Sequence, residues 1–200
     1  MGRRDLSDER RPQIVAAAKR AITKYGVDGA TQERIAEEAG MSRALIRHYL
    51  GNRDAVLDAV WDETVGEYLV AVDETTSVTE PPAEVERAVG RFLESSFVYQ
   101  EDDAIILAFL HESRKNERIR ARTHATYARV EDNVARLIRA ASPTIADAEV
   151  ATRAHALMAL SMGALMLDLL NPRGARADRL TGLASSLFPR ATASETATEG

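Results

Sequence analysis

The stretch "EEAGMSRALIRHYLGNRD", Glu37 to Asp54, decides the fold. It sets a tight Ala-Gly pair between two helical patterns, and the second pattern carries Arg43, Arg47 and His48. Thr31 and Ser42 each stand where a side-chain oxygen caps the helix that follows, which predicts helices over Gln32–Ala39 and Arg43–Leu50. Ile35, Ala36 and Ala39 face inward on the first of these, Ile46 and Tyr49 on the second. Gly40 occupies the reversal, where a left-handed backbone is cheap for glycine, and Met41 plugs the space between the helices. Small residue, glycine, apolar plug and apolar anchor in this order specify a helix-turn-helix. Arg43, Ala44, Arg47 and His48 are left outward, starting at the end that reaches base edges in that motif. The competing reading is a helical hairpin with a solvated charged face, and the match at every buried position favours DNA.

Upstream, Ile14, Ala17, Ala18, Ala21, Ile22 and Tyr25 line one face of a helix that holds Pro12 in its first turn and ends at Gly26. Downstream, Asn52 caps a fourth helix running towards Val72, with Asp54 in its first turn. Further helices are predicted over Val85–Tyr99, Ala104–Arg114, Glu117–Ala141, Asp147–Leu170 and Arg179–Phe188. No segment alternates with period two, so the chain reads as all-α. The expected organisation is a three-helix DNA-binding domain over 1–55 with a basic disordered arm at 1–9, then a larger helical domain over 56–188 and a disordered tail over 189–200.

Composition fits this reading. The chain has 200 residues and a net charge of −5, but residues 1–60 carry 11 Lys and Arg against nine Asp and Glu. A basic head on an acidic body can meet DNA, because screening hides charge beyond about 8–10 Å. The absence of cysteine excludes disulfides and thiolate metal sites and fits a cytoplasmic location. His111, His124 and His155 lack helical spacing for a shared metal, and no cofactor motif occurs. The run Ala156–Leu167 stops at Asp168, too short to span a bilayer, and reads as a buried helix with no membrane partner.

Residues 10–60 resemble the N-terminal domain of TetR-family transcriptional repressors, through "RRPQIVAAAKRAITKYGVDGATQERIAEEAGMS" and "RALIRHYLGNRDAVLDAV". The resemblance implies phosphate contacts from Thr31, Ser42, Tyr49 and Arg53, and base-side contacts from Arg43, Ala44, Leu45, Arg47 and His48. Tyr49 reads equally as core. Arg3 and Arg4 read either as an arm for the minor groove or as a solubilising terminus. Ala44, Leu45 and Arg47 depart from the family's usual Gly, Thr or Ser, and Tyr, Leu50 replaces its Phe, and Arg53 its Lys. The operator sequence therefore does not carry over.

The resemblance also implies a ligand-binding and dimerisation domain from Asp62 onward. "LAFLHESRKNERIRARTHATYARVEDNVARLI" faintly resembles the betaine-regulator-like subgroup. The candidate contacts for an unknown small-molecule ligand are Phe92, Phe109, Glu112, Thr123, Thr126, Tyr127 and Met162. In the alternative the phenylalanines are plain core and the threonines bond back to their own helix. "AHALMALSMGALMLDLL" is apolar nearly all round, so one neighbour does not cover it. With the stripe of the final helix it predicts a homodimer interface at Leu157, Gly163, Leu165, Leu180, Leu183 and Leu187. The function expected is a homodimeric repressor released from a near-palindromic operator by its ligand. The alternatives are an activator or architectural DNA-binding protein without a ligand, and a helical enzyme, for which no catalytic motif speaks.

Overall fold

The computed structural model describes residues 3–76, 87, 102–170 and 182–187, without the side chains of 3–8, 67, 68, 71, 72, 74–76, 168 and 169. All regular structure among them is helical: α1 Arg3–Gly29, α2 Gln32–Ala39, α3 Arg43–Tyr49, α4 Arg53–Thr76, α5 Asp103–Glu112, α6 Glu117–Ala141 and α7 Asp147–Leu170. A last helical turn covers 182–185. The helix expected over Val85–Tyr99 (Arg87 apart) and the tail at 189–200 lie outside the described residues.

Local chemistry explains most boundaries. The Thr31 hydroxyl accepts from the Arg34 N–H at 3.3 Å, Ser42 from Leu45 at 3.2 Å, and the Asn52 amide oxygen from Ala55 at 2.9 Å. Gly40 ends α2 in a left-handed conformation (φ 61°), and Met41 N–H reaches back to the Ala36 carbonyl at 3.0 Å. That pair of features is a Schellman closure, and it makes the tight turn of the opening stretch. Gly26, also left-handed (φ 72°), kinks α1 where the sequence puts its end.

Two expectations for α1 are corrected. Its backbone is helical from Arg3, where a disordered arm was expected, so Pro12 lies well inside it rather than in its first turn. Proline has no N–H, so one bond to the carbonyl four residues earlier is forfeited there. Tyr25 is exposed rather than inward. Its ring stacks at the surface under the Arg34 guanidinium, 4.4 Å away, with the Lys24 ammonium at 4.9 Å.

The chain packs as two compact units, divided inside α4 after Val70 and inside α6 after Thr126. In the first, Ile14, Ala17, Ala18, Ala21 and Ile22 of α1 are buried, as are Ile35 and Ala36 of α2, Ile46 of α3, and Val56, Leu57 and Val60 of α4. α5 and the start of α6 belong to the same unit, where Trp61 and Phe109 lie buried with ring centroids 5.1 Å apart. The indole N–H of Trp61 donates to the Thr126 hydroxyl at 3.0 Å. Ion pairs Arg118–Asp58 and Arg122–Asp62 join α6 to α4 there.

The second unit buries Val130, Val134, Leu137 and Ile138 of α6 and Val150, Ala154, Leu157 and Ala164 of α7, with Ala184 of the last turn. Asn133, itself buried, donates to Asp73 at 2.5 Å, and Arg129 pairs with the same carboxylate. α7 departs from its reading as a buried helix. From Asp147 to Leu167 it is long and apolar enough to cross a membrane by length and composition, with only 22% of that window buried within the chain. Met166 (55% exposed), Leu167 and Leu170 (82%) leave an apolar end open.

Candidate nucleic-acid interface

α3 presents the side chains that the helix-turn-helix pattern puts outward. Ile46 is buried, while Arg43, Ala44, Arg47 and His48 are exposed and Leu45 is half-buried. Arg47 makes no hydrogen bond or ion pair among the described residues. Arg43 does: its guanidinium pairs with the carboxylate of Glu33 on α2. The own backbone N–H of Glu33, and then Arg43, hold that carboxyl below the usual range.

The caps of α2 and α3 are also on this surface. The oxygens of Thr31 and Ser42 are spent as acceptors; the Thr31 O–H turns to the Glu33 carboxylate, and the Ser42 O–H is left to donate. A hydroxyl donor beside the positive end of a helix is suited to a phosphate oxygen. Tyr49 is half-buried, edge-on to His48 with centroids 5.0 Å apart, and its hydroxyl finds no partner among the described residues.

Arg53 is placed differently from the phosphate contact expected of it. Its Nε donates to the Ala30 carbonyl at 2.9 Å, and one terminal nitrogen donates to the Val27 carbonyl and reaches Asp28 O at 3.5 Å. The side chain ties the start of α4 to the end of α1. It is one of a set: Arg34 caps Gly29 O at 2.8 Å, Arg20 caps Glu38 O at 2.8 Å, and Arg11 caps Tyr49 O at 3.0 Å. The carbonyl ends of α1, α2 and α3 are thus each closed by an arginine from another helix, where the helix dipole favours a cation. Sequence reasoning missed this set, because residue type does not say which way a long side chain turns.

The expected ligand contacts are divided between the two units. Phe92 lies outside the described residues. Phe109, Glu112, Thr123 and Thr126 are in the first unit, Tyr127 and Met162 in the second. Phe109 is core against Trp61. Buried Glu112 pairs with Lys115 at 3.3 Å, and Lys115 also holds Asp28, lowering that carboxyl. Thr123 bonds back to the Ile119 and Arg120 carbonyls at 3.0 and 3.1 Å, and Thr126 to Arg122 O at 3.2 Å. For Phe109, Thr123 and Thr126 the plain structural alternative accounts for the contacts, while Glu112 is buried and ion-paired rather than facing water. The first unit does carry a cleft of about 520 Å³ between α1 and α4, floored by Pro12, Val15, Leu50 and Ala59 and rimmed by Arg11, Asp58 and Asp62. None of the expected ligand contacts lines it.

Of the expected dimer contacts, Leu157 is 1% exposed and packs inside the second unit, not at a surface. Gly163, Leu165 and Leu187 are half-buried, Leu183 is 54% exposed, and Leu180 lies outside the described residues.

Comparison with known proteins agrees with this geometry. The family model for bacterial regulatory proteins of the tetR family matches residues 14–60, and that for the C-terminal domain of BetI-type transcriptional repressors matches residues 79–192. The HTH-type transcriptional regulator BetI of Vibrio vulnificus is 27% identical over 177 residues, covering 85% of this chain and 86% of the relative. The HTH-type transcriptional regulator PksA of Bacillus subtilis is 42% identical over 50 residues, 25% of this chain and 24% of its own. A crystal structure of a transcriptional regulator from Pseudomonas aeruginosa PAO1 superposes with a TM-score of 0.77 at 21% identity, covering 90% of this chain and 88% of that one. A helix-turn-helix with an outward basic α3, followed by a helical body whose sequence fits the BetI-type model, is what such a regulator requires: the chain belongs to the TetR family of DNA-binding transcriptional regulators.

Proposed function

We propose that the protein is a homodimeric repressor that acts in the cytoplasm and leaves a near-palindromic operator when a small molecule binds. The observation that carries the DNA half is α3, whose outward face combines Arg47, without a partner among the described residues, with Arg43, His48 and the Ser42 hydroxyl. Residues 1–55 are the reading domain, and α3 enters the major groove with Ala44 and Leu45 against base edges or thymine methyls. Arg53 is left out of the contacts, since its donors serve α1.

Dimerisation is supported by the open apolar end of α7, at Met166, Leu167 and Leu170, together with Leu183. Exposed apolar side chains of that kind are what an interaction site uses. With Gly163, Leu165, Leu180 and Leu187 they make a self-complementary interface within 56–188.

The ligand is proposed to bind the second unit, where Tyr127 and Met162 are half-buried. A ligand releases DNA only by favouring the conformation whose two heads no longer match the half-sites. A hundredfold loss of affinity requires a coupling of about 2.7 kcal/mol. The filled surroundings of Phe109, Thr123 and Thr126 favour a second reading, a DNA-binding regulator without a ligand. The test is a thermal-shift screen of the full chain against metabolites, followed by titration of each hit with and without the selected operator. Operator must weaken a true inducer by the factor by which the inducer weakens operator. A hit that binds equally well in both cases overturns release by this route, and a screen without hits leaves the second reading standing.

A further inference from the structure

Glu33 is an acid on the surface that faces DNA, in the first turn of α2, ten residues before the arginine it holds. Both side chains are exposed, so neither was driven together by burial. A carboxylate there repels phosphate, and an ion pair with Arg43 cancels a charge that non-specific binding would use. The pairing therefore lowers general affinity for DNA. Its geometry suggests what it offers in exchange. The contact uses Nη1 of Arg43. A guanidinium is a rigid fork of five donors, and this leaves Nε and Nη2, two parallel donors on the opposite edge, to meet guanine O6 and N7.

We propose that Glu33 is a specificity-determining residue, which holds the Arg43 guanidinium edge-out for a base and keeps it from settling on the nearest phosphate. The inference rests on the placement of Arg43 on the base side. On a matching site the ion pair and the base contact coexist. On other sequences the arginine has no base partner, and Glu33 withholds it from the backbone.

The test uses the full-chain protein and a randomised duplex library, from which bound duplexes are sequenced, then titrations of one selected duplex and one scrambled duplex over a range of salt. Glu33→Gln keeps size and removes charge. It should lower the ratio of selected to scrambled affinity about fivefold or more, at the base pair whose preference Arg43→Ala also loses. Scrambled DNA should bind Glu33→Gln more tightly, with a salt slope steeper by about one as the freed arginine takes a phosphate. In the Glu33→Gln, Arg43→Ala double variant both changes should vanish relative to Arg43→Ala alone. An unchanged ratio and slope in Glu33→Gln overturns the inference. So do changes that persist in the double variant, which would make Glu33 a lone repelling charge. If Arg43→Ala itself alters nothing, the base-side placement of Arg43 fails first, and this inference with it.

Discussion

The Nε of Arg53 lies 2.9 Å from the carbonyl oxygen of Ala30, so the first residue of α4 closes the turn that follows α1. Removing it leaves the part-buried Ala30 carbonyl without that donor, while Val27 O keeps the Ala30 N–H. Arg53→Ala should cost about 1–3 kcal/mol in urea unfolding, and the slope of DNA affinity against salt should stay as it is. Arg53→Lys should recover part of the stability. A salt slope lowered by about one, with stability intact, would return Arg53 to the phosphate backbone.

Arg47 carries the opposite expectation. It has no partner among the described residues, so Arg47→Ala should leave thermal stability within about 0.5 kcal/mol of the parent. Operator affinity should fall by about 1–3 kcal/mol if it reads a base, with preference relaxed at one base pair. If it grips phosphate, affinity should fall evenly across sequences. Unchanged binding to both selected and scrambled duplexes would remove Arg47 from the interface.

The Trp61 indole depends on one acceptor. Thr126→Val keeps the shape of the side chain and strands a buried N–H, which should cost about 1–3 kcal/mol. Thr126→Ser keeps the acceptor and should cost less. Equal melting temperatures for the valine variant and the parent would show that the bond contributes nothing.

These residues also show what the sequence could and could not say. The bounds of α2, α6 and α7 were legible to the residue, because capping oxygens and apolar periodicity act over three or four positions. So were Thr31 and Ser42 as caps, and Ile46 in and Arg47 out on α3. The direction of Arg53 was not legible, since it depends on which helix end lies within reach of a flexible side chain. Nor was the Glu33–Arg43 pair, formed across a turn whose angle no spacing rule supplies. Tyr25 failed for a related reason: at the surface two cations offered its ring a place that periodicity does not see. Thr123 and Thr126 are polar on an inward face, which reads alike for a ligand and for a bond to the preceding turn.

The open end of α7 should be a contact between copies. Leu170→Asp or Leu183→Asp would bury an unpaired charge in the proposed interface and should abolish dimer and tight operator binding together. Sedimentation of the parent and both variants at micromolar concentration checks this. A monomeric parent would refute the arrangement.

Acid should loosen the second unit through Asp73. Partial burial works to raise its carboxyl, but the Asn133 amide and the Arg129 guanidinium outweigh it and hold it below the ordinary range. A pKa lower in the folded than in the unfolded state, about 3.9, gives stability that is present above that pH and lost as pH falls through the folded value. The melting temperature should therefore drop between about pH 5 and about pH 3, and drop less in Asp73→Asn. An identical profile for the two proteins would show that the group contributes no linkage.

α3 commits only Ile46 to the core, and its ends are held by a serine oxygen and by an arginine from another helix. Little of the folding free energy of the first unit should therefore rest on the outward residues of α3. Ala44, Leu45, Arg47 and His48 are free to drift one at a time, each trial risking a binding preference and not the molecule. Changes at these positions should therefore alter a binding preference before they alter the fold.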